Sequence, residues 1–487
     1  MNYLIFNDQI PTKSFLQEKL GIHSYSNIVL GKSTYLQKVL QTLNLSHSNI
    51  EILLLDHPLE TVSDLTKYCS DHQLINNDDA VFYWDLRLFP LDGPALNSII
   101  QKSLAIENNV NFSNAHLKNQ GKYIRKISIS TFSDRESNNA THWPPENEIF
   151  EIDISGLVID INSPGNATNL FANNLDARYF NDVEATDYYF IKKSSNKKKI
   201  RAEYNFLQNI PENVKVFYPR IHDFIENEQI AQYSMERIFS FDVSVLLKNA
   251  TIFLDDNLET LFYHLNNYLS LAPKKTVTQS GYQESLSDLF VTKVADRFVE
   301  IQKLPFFAQY DALCKLNGFV DVFDFHQRLE AKIKMAIKTT KKTQLIYSHG
   351  DLCASNILFD VSSRQIKLVD PRGFSDDFSE TFRPIEYELA KLSHSFLGLY
   401  DLIICDAAEI LVQEGQTVLQ FKLSAERQIM LQNEFLAFLK NKKIDIHLLR
   451  LYESTLFFSM IPLHQDHPKR TLAQLARSLE CLKLSEE

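Results

Sequence analysis

The chain has 487 residues, 44% of them hydrophobic and 23% charged, with a formal net charge of −11. That length exceeds one ordinary core, so two or three domains are expected, and the acidic balance argues against nucleic acid as a partner, because phosphate contacts need a basic face. The five cysteines (Cys69, Cys314, Cys353, Cys405, Cys481) are scattered with no CxxC, which suits a reducing compartment and offers neither a zinc site nor a disulfide framework.

The opening MNYLIFNDQIPTK is too polar for a signal peptide. No stretch approaches the ~18 uncharged apolar residues of a spanning helix; the best candidate, residues 396–404, is interrupted by Asp401. A cytoplasmic protein with no membrane span is expected.

Residues 1–140 read as a separate α/β unit. Residues 3–6 are a short strand. Residues 31–45 have helical periodicity, with Leu36, Val39, Leu40 and Leu43 on one face. Residues 50–55 (IEILLL) and 80–84 (AVFYW) read as strands, with a helix marked by Leu65, Tyr68 and Leu74 between them. Strand–helix alternation predicts a parallel sheet. Gly31-Lys32-Ser33 lacks the P-loop glycine five positions earlier, where Ser26 stands, so it reads as a turn and helix start. Residues 133–148, Asn-rich with Pro144-Pro145, are the expected linker.

From Ile149 the pattern becomes strand-rich: IFEIDISGLVIDI, then residues 163–174 as a loop, then ARYFN (177–181) and YYFIKK (188–193) as a strand pair. A basic turn and a helix from about Ile200 follow. Lys192 on the strand and Glu203 on the helix are an acid–base pair of the kind that holds nucleotide phosphates, with Lys193 as the alternative, since one residue changes the face. Residues 229–238 lead as a strand to Met235 and Glu236. From Phe241 the chain reads as mostly helical, with 3.6-residue periodicity in 258–269, 285–301 and 321–337.

The densest signal is YSHGDLCASNILFDVSSRQIKLVDPRG, residues 347–373. It reads as a β-hairpin that carries Asp351 and Asn356 before its first strand and Asp370 after its second. Phosphoryl transfer needs a group that orients the attacking hydroxyl and oxygen ligands for Mg²⁺. Asp351 can accept the hydroxyl proton, and Asn356 and Asp370 can hold metal. Base, Asn five positions on, and Asp after a hairpin is the order of a kinase catalytic loop.

HGDLCASN with DPRG resembles the aminoglycoside phosphotransferase and choline kinase-like family. The resemblance implies an α+β, protein-kinase-like two-lobe fold, with a small lobe at 146–238 and a helical large lobe at 239–487. It extends through FIKKSSNKKKIRAEYNFL and QIAQYSMERI. It implies ATP and Mg²⁺ as cofactors, adenine contacts at Met235, Glu236 and Ile238, and an acceptor contact at Arg372, with His394 as a further candidate that reads first as a core histidine. The expected function is phosphorylation of a hydroxyl on a sugar, polyol or amino alcohol. GKSTYLQKVLQTL…IEILLL with Asp85 resembles, more faintly, the sugar nucleotidyltransferases, but their glycine-rich loop is missing, which implies a non-catalytic front domain. The pairing resembles proteins of bacterial capsule and surface polysaccharide assembly. A pseudokinase scaffold and a working nucleotidyltransferase are the alternative readings.

Overall fold

The computed structural model describes residues 2–31, 33–44, 50–55, 80–106, 109–114, 124–128, 149–174, 182–186, 188–253, 255–374, 377–413, 415–442 and 444–486. The helix marked by Leu65, Tyr68 and Leu74, the 133–148 linker and ARYFN lie outside them. The chain forms two compact units, Met1–Leu175 and Asp176–Glu487.

The first unit is built on a six-stranded sheet in the order Ile50–Leu55, Asn2–Asn7, Ala80–Asp85, Ile124–Ser128, Asn109–Ser113, Ile149–Asp153. The first three strands are parallel, as expected. Ile124–Ser128 runs antiparallel to both its neighbours, so the sheet is mixed. The ten or so residues between it and Asn109–Ser113 are too few for a crossover, which needs a dozen or more. Ile149–Asp153 pairs in parallel with Asn109–Ser113, and Val158–Asp160 pairs with Leu88–Pro90. IFEIDISGLVIDI therefore belongs to this unit, not to the sheet of the second one. Residues 163–174, expected as a loop, include the helix Pro164–Asn174; its Ala167, Leu170 and Phe171 are buried at helical spacing. Proline at a first helical turn costs nothing, because its missing N–H has no partner there anyway.

Of GKS, expected as a turn and helix start, Lys32 lies outside the described residues, and the helix begins just after it at Tyr35. Gly31, at φ 56°, links the short strands Val29–Leu30 and Ser33–Thr34. Thr34 then caps the helix Tyr35–Leu43 in a reciprocal capping box with Gln37. Asp85 ends its strand by accepting from Arg87 N (2.9 Å) and Asn7 Nδ2 (3.3 Å). Burial pushes its carboxyl up to about 6 against those bonds.

The second unit opens with a four-stranded antiparallel sheet ordered Asp182–Ala185, Tyr189–Ser194, Ala231–Glu236, Ile221–Glu226. The helix Lys197–Gln208 follows the second strand, started by Asn196, whose side chain accepts from Lys199 N at 3.2 Å. It packs on the sheet through Tyr204, stacked on Phe224 at 4.7 Å. The remainder is helical around two small sheets. Phe241–Asp242 pairs with the hairpin Ile357–Asp360 and Gln365–Leu368, while Gln344–Tyr347 lies between Lys274–Thr276 and Phe382–Arg383. Helix Val322–Thr339, capped by Asp321, leads into that second sheet. The ribbon Ala408–Gln413 with Gln416–Phe421 interrupts the expected run of helices; Gly415 at φ 76° makes its turn. No helix among the described residues is long and apolar enough to cross a membrane.

Because Ile149–Asp153 completes the first sheet, a fragment of residues 176–487 is expected to unfold in one urea transition. A fragment from residue 146 carries that strand without its partner and should aggregate more readily. Multiphasic unfolding of the 176–487 fragment would show that the cut divides a shared core.

Candidate functional site

Lys192 lies on the inner side of the small sheet and is 2% exposed. Its Nζ is 2.7 Å from Glu203 Oε2 and 2.9 Å from Asp370 Oδ1. Burial works against its charge, but Asp370 and Glu203 outweigh burial and hold the ammonium well above the usual lysine range. Asp370 is pushed up by burial and pulled down further by Lys192, so its carboxyl sits below its ordinary value. Glu203 is raised by burial in spite of Lys192. Tyr233 Oη donates to the same Glu203 oxygen at 3.2 Å. Strand alternation separates the two lysine candidates: Lys192 is buried and Lys193 half-buried on the other face.

The loop before the hairpin is tied down from two directions. His349 bonds the Val369 carbonyl through Nε2 (2.9 Å), and its Nδ1 accepts from Asp351 N (3.3 Å). That geometry needs the neutral ring with its proton on Nε2. Burial pushes His349 down to about 4. From the other side comes the helix Ile385–Phe396. Glu388 Oε1 accepts from Gly350 N at 2.7 Å and from the Ser348 hydroxyl, Ser395 Oγ accepts from Ala354 N at 3.0 Å, and Lys391 Nζ is 2.7 Å from Asp351 Oδ1. Positions 388, 391 and 395 share one helix face. Sequence reasoning places a helix here but misses these three. Their signal is polar side chains at i, i+3 and i+7, on a helix that also carries the polar Glu386, Ser393 and His394.

Asn356 Nδ2 donates to the Asp351 carbonyl at 2.8 Å, which leaves its Oδ1 for a cation. Asp370, with a 44%-exposed side chain, supplies a carboxylate. Two protein oxygens of this kind fit Mg²⁺, which keeps waters and takes substrate phosphates for the rest. No group of three or more His, Cys, Asp or Glu that could hold a metal occurs among the described residues. Asp370 takes a left-handed conformation (φ 56°), which turns the chain sharply out of the hairpin. Gly373 then passes so close to the helix Lys197–Gln208 that a Cβ on it would stand 1.8 Å from Ala202 O. The turn carrying Asp370 thus touches the helix carrying Glu203 directly.

The other expected residues are dispersed. Met235 is buried and Glu236 half-buried at the end of Ala231–Glu236. The Glu236 and Arg237 N–H groups are already given to Arg220 O and Tyr188 O; Ile238 follows, half-buried. Arg372 is exposed, and its N donates to His349 O at 2.8 Å. His394 is buried, its ring stacked on Tyr400 at 4.1 Å. Cys353 is also buried, and burial raises its thiol.

No protein-family model matches the chain, and no curated protein does. Solved structures do. A glucosamine kinase is 12% identical, with a TM-score of 0.39 over 68% of this chain and 88% of that one. Aminoglycoside phosphotransferase APH(4)-Ia is 11% identical, TM-score 0.38, over 65% and 98%. Aminoglycoside phosphotransferase APH(3'')-Id from Streptomyces rimosus, in complex with ADP and streptomycin, is 15% identical, TM-score 0.35, over 63% and 98%. These are likenesses at low identity, and the chemistry of this site rests on the side chains described above.

Two outcomes follow from the geometry. Because His349 is held below its unfolded value of 6.5, the unfolded state binds more protons in the window between about 6.5 and about 4. Stability should be full above that window and fall as pH drops through it, by about 3 kcal/mol for this group. Urea unfolding across pH 4–7 checks this, and His349→Gln should flatten the slope. Gly373→Ala should cost about 1–3 kcal/mol by overpacking; a variant as stable as the parent would show that the turn has room to spare.

Proposed function

We propose that the second unit is an ATP- and Mg²⁺-dependent phosphotransferase acting on a hydroxyl of a small molecule, and that its sheet and helical part are the two lobes of a protein-kinase-like fold. The observation that carries the reading is the single ammonium of Lys192 held between Glu203 and Asp370, with Asp351 and Asn356 presented by the same hairpin. This brings a phosphate-binding cation, two metal-ligand oxygens and a carboxylate base to one place.

In this reading Lys192 contacts the nucleotide phosphates and Glu203 keeps it extended. Glu236 and Ile238 offer backbone groups to adenine, with Met235 behind them. Asn356 Oδ1 and the Asp370 carboxylate would hold Mg²⁺, which would neutralise charge on the β- and γ-phosphate oxygens. Asp351 aligns the acceptor hydroxyl and takes its proton as the oxygen bonds to the γ-phosphorus. The bond from that phosphorus to the bridging oxygen breaks, and ADP leaves with the electron pair. Lys391 holds Asp351 Oδ1 at 2.7 Å and Asn356 Nδ2 donates to Oδ2 at 3.3 Å, so both contacts orient the carboxylate toward the hydroxyl. The acceptor class is a sugar, polyol or amino alcohol, with Arg372 at its mouth. The first unit is a non-catalytic α/β domain, and the motif resemblance points to surface polysaccharide assembly.

The test is ATP affinity and turnover of variants across a Mg²⁺ titration. Asp370→Ala removes a full charge from the metal site and should weaken Mg·ATP binding more than Asn356→Ala, which removes a dipole. Lys192→Ala should weaken ATP binding with or without metal. Asp351→Asn should lower turnover by ~10²–10⁴ and leave nucleotide binding nearly intact. Mg·ATP binding by Asp370→Ala equal to the parent's would sink the phosphotransferase reading. Binding without turnover on any acceptor would make the unit a nucleotide-binding scaffold.

A further inference from the structure

Cations gather around Asp351 in excess of the carboxylates that could neutralise them. Lys391 is spent on Asp351 itself, at 2.7 Å. Arg372 and Arg383 flank the preceding residue: a Cβ at Gly350 would stand 2.7 Å from Arg372 Cβ and 2.9 Å from Arg383 Nη1. Arg383 is 8% exposed, and its Nη1 has no hydrogen-bond partner among the described residues. A buried guanidinium nitrogen left unpaired is costly. Burial and the neighbouring charge of Arg372 push Arg383 below the usual arginine range. Lys293 completes the group, its Nζ 5.8 Å from the ring centre of Tyr387, one helical turn before Lys391. Lys293 directly follows a π-helical turn, Asp288–Thr292, inside an otherwise α-helical run; such turns re-aim a helix face and occur often at functional sites.

Tyr387 reports the field in this region. It is 1% exposed, and burial raises a phenol, as it does, with help from neighbouring acidic groups, at Tyr218, Tyr233 and Tyr268. At Tyr387 burial also pushes upward, yet Lys293, Lys391 and Arg372 overcome it and the phenol falls below its usual value. The facing carboxylates offset this only in part. Asp351 is paired with Lys391, and Glu380 is exposed. Glu388 accepts from Gly350 N and Ser348 through Oε1, while its Oε2 has no hydrogen-bond partner among the described residues and its charge acts on Arg383. The four cations Lys293, Arg372, Arg383 and Lys391 thus face these three carboxylates.

We propose that the acceptor carries an anionic group, a carboxylate or phosphate ester, beside the hydroxyl that reacts, and that Lys293, Arg372 and Arg383 bind it. The inference rests on the phosphotransferase reading for the hydroxyl, but not for the anion site. Lys192 already serves the nucleotide phosphates, while these three cations, from a helix, the turn after the hairpin and a strand, converge beside the loop that presents the base. A paired carboxylate or phosphate fits a guanidinium fork in two bonds. The acceptor is then a sugar acid or sugar phosphate rather than a neutral polyol or an amino sugar.

The test uses the full chain and four probes: glucuronate, glucose 6-phosphate, glucose and glucosamine. Binding is read by calorimetry with and without a non-hydrolysable Mg–nucleotide, and transfer by label from ATP. At least one anionic probe should bind ten times or more tighter than glucose, and which one does so separates carboxylate from phosphate ester. Lys293→Met and Arg383→Met should each erase about tenfold of that preference, as expected for one charge-assisted contact, with the affinity for glucose unmoved. If Arg383→Met fails to fold, half-buried Lys293 still decides the matter. The proposal is overturned if neither anionic probe binds, if glucose or glucosamine binds as tightly, or if the variants weaken only the nucleotide. Anion binding through Lys293 with no transfer to any acceptor would overturn the phosphotransferase reading alone. Transfer to glucose without anion preference would overturn the anion site alone.

Discussion

One buried ammonium organises the second unit. Lys192 reaches from the small sheet to a helix at Glu203 and to the end of a distant hairpin at Asp370. Lys192 and Glu203, both buried, would each be expensive alone, by several kcal/mol; Asp370, with a 44%-exposed side chain, would be less so. Together they cancel, and the cancellation works only in one relative placement of sheet, helix and hairpin. The contact is therefore poor evidence of stability and good evidence of geometry, because it specifies where three elements must stop.

A second frame holds the opposite side of the site. The helix Ile385–Phe396 is buried along nearly its whole length, yet its inner face carries Glu388, Lys391 and Ser395, each spent on the 348–354 loop. A chain of net charge −11 keeps a local excess of positive charge here. Composition sets the average field of a protein and says little about its sign at a given cleft.

The hairpin, its acid residues and the lysine-bearing strand were legible in the sequence because all are local patterns. Alternation and spacing fix Asp351, Asn356 and Asp370 relative to one another, and burial separates Lys192 from Lys193. Pairings across long sequence distance were not legible. IFEIDISGLVIDI alternates equally well for either sheet, and only its partner Asn109–Ser113 assigns it. The helix at Pro164–Asn174 was hidden by Pro, Gly and Asn, which punctuate loops more often than they start helices. The Ala408–Gln413 ribbon was hidden because both strands leave most of their residues partly exposed, so the apolar contrast is weak. Arg383 gave no signal of its own, and Lys391 only its place in a polar stripe. A lysine in that stripe and an arginine before a proline acquire meaning only when the fold sets them beside Asp351 and Gly350.

The contact at Gly373 bears on how such a site could be controlled. In a two-part site, activity can be switched by swinging the acid-bearing helix away from the lysine while the metal-binding turn stays in place. Here the turn's backbone rests against Ala202, the residue beside Glu203, with no space for even a methyl group between them. Helix and turn must travel as one piece. The site is built without that hinge; under the phosphotransferase reading proposed above, control would fall to the supply of nucleotide and acceptor and not to assembly of the site.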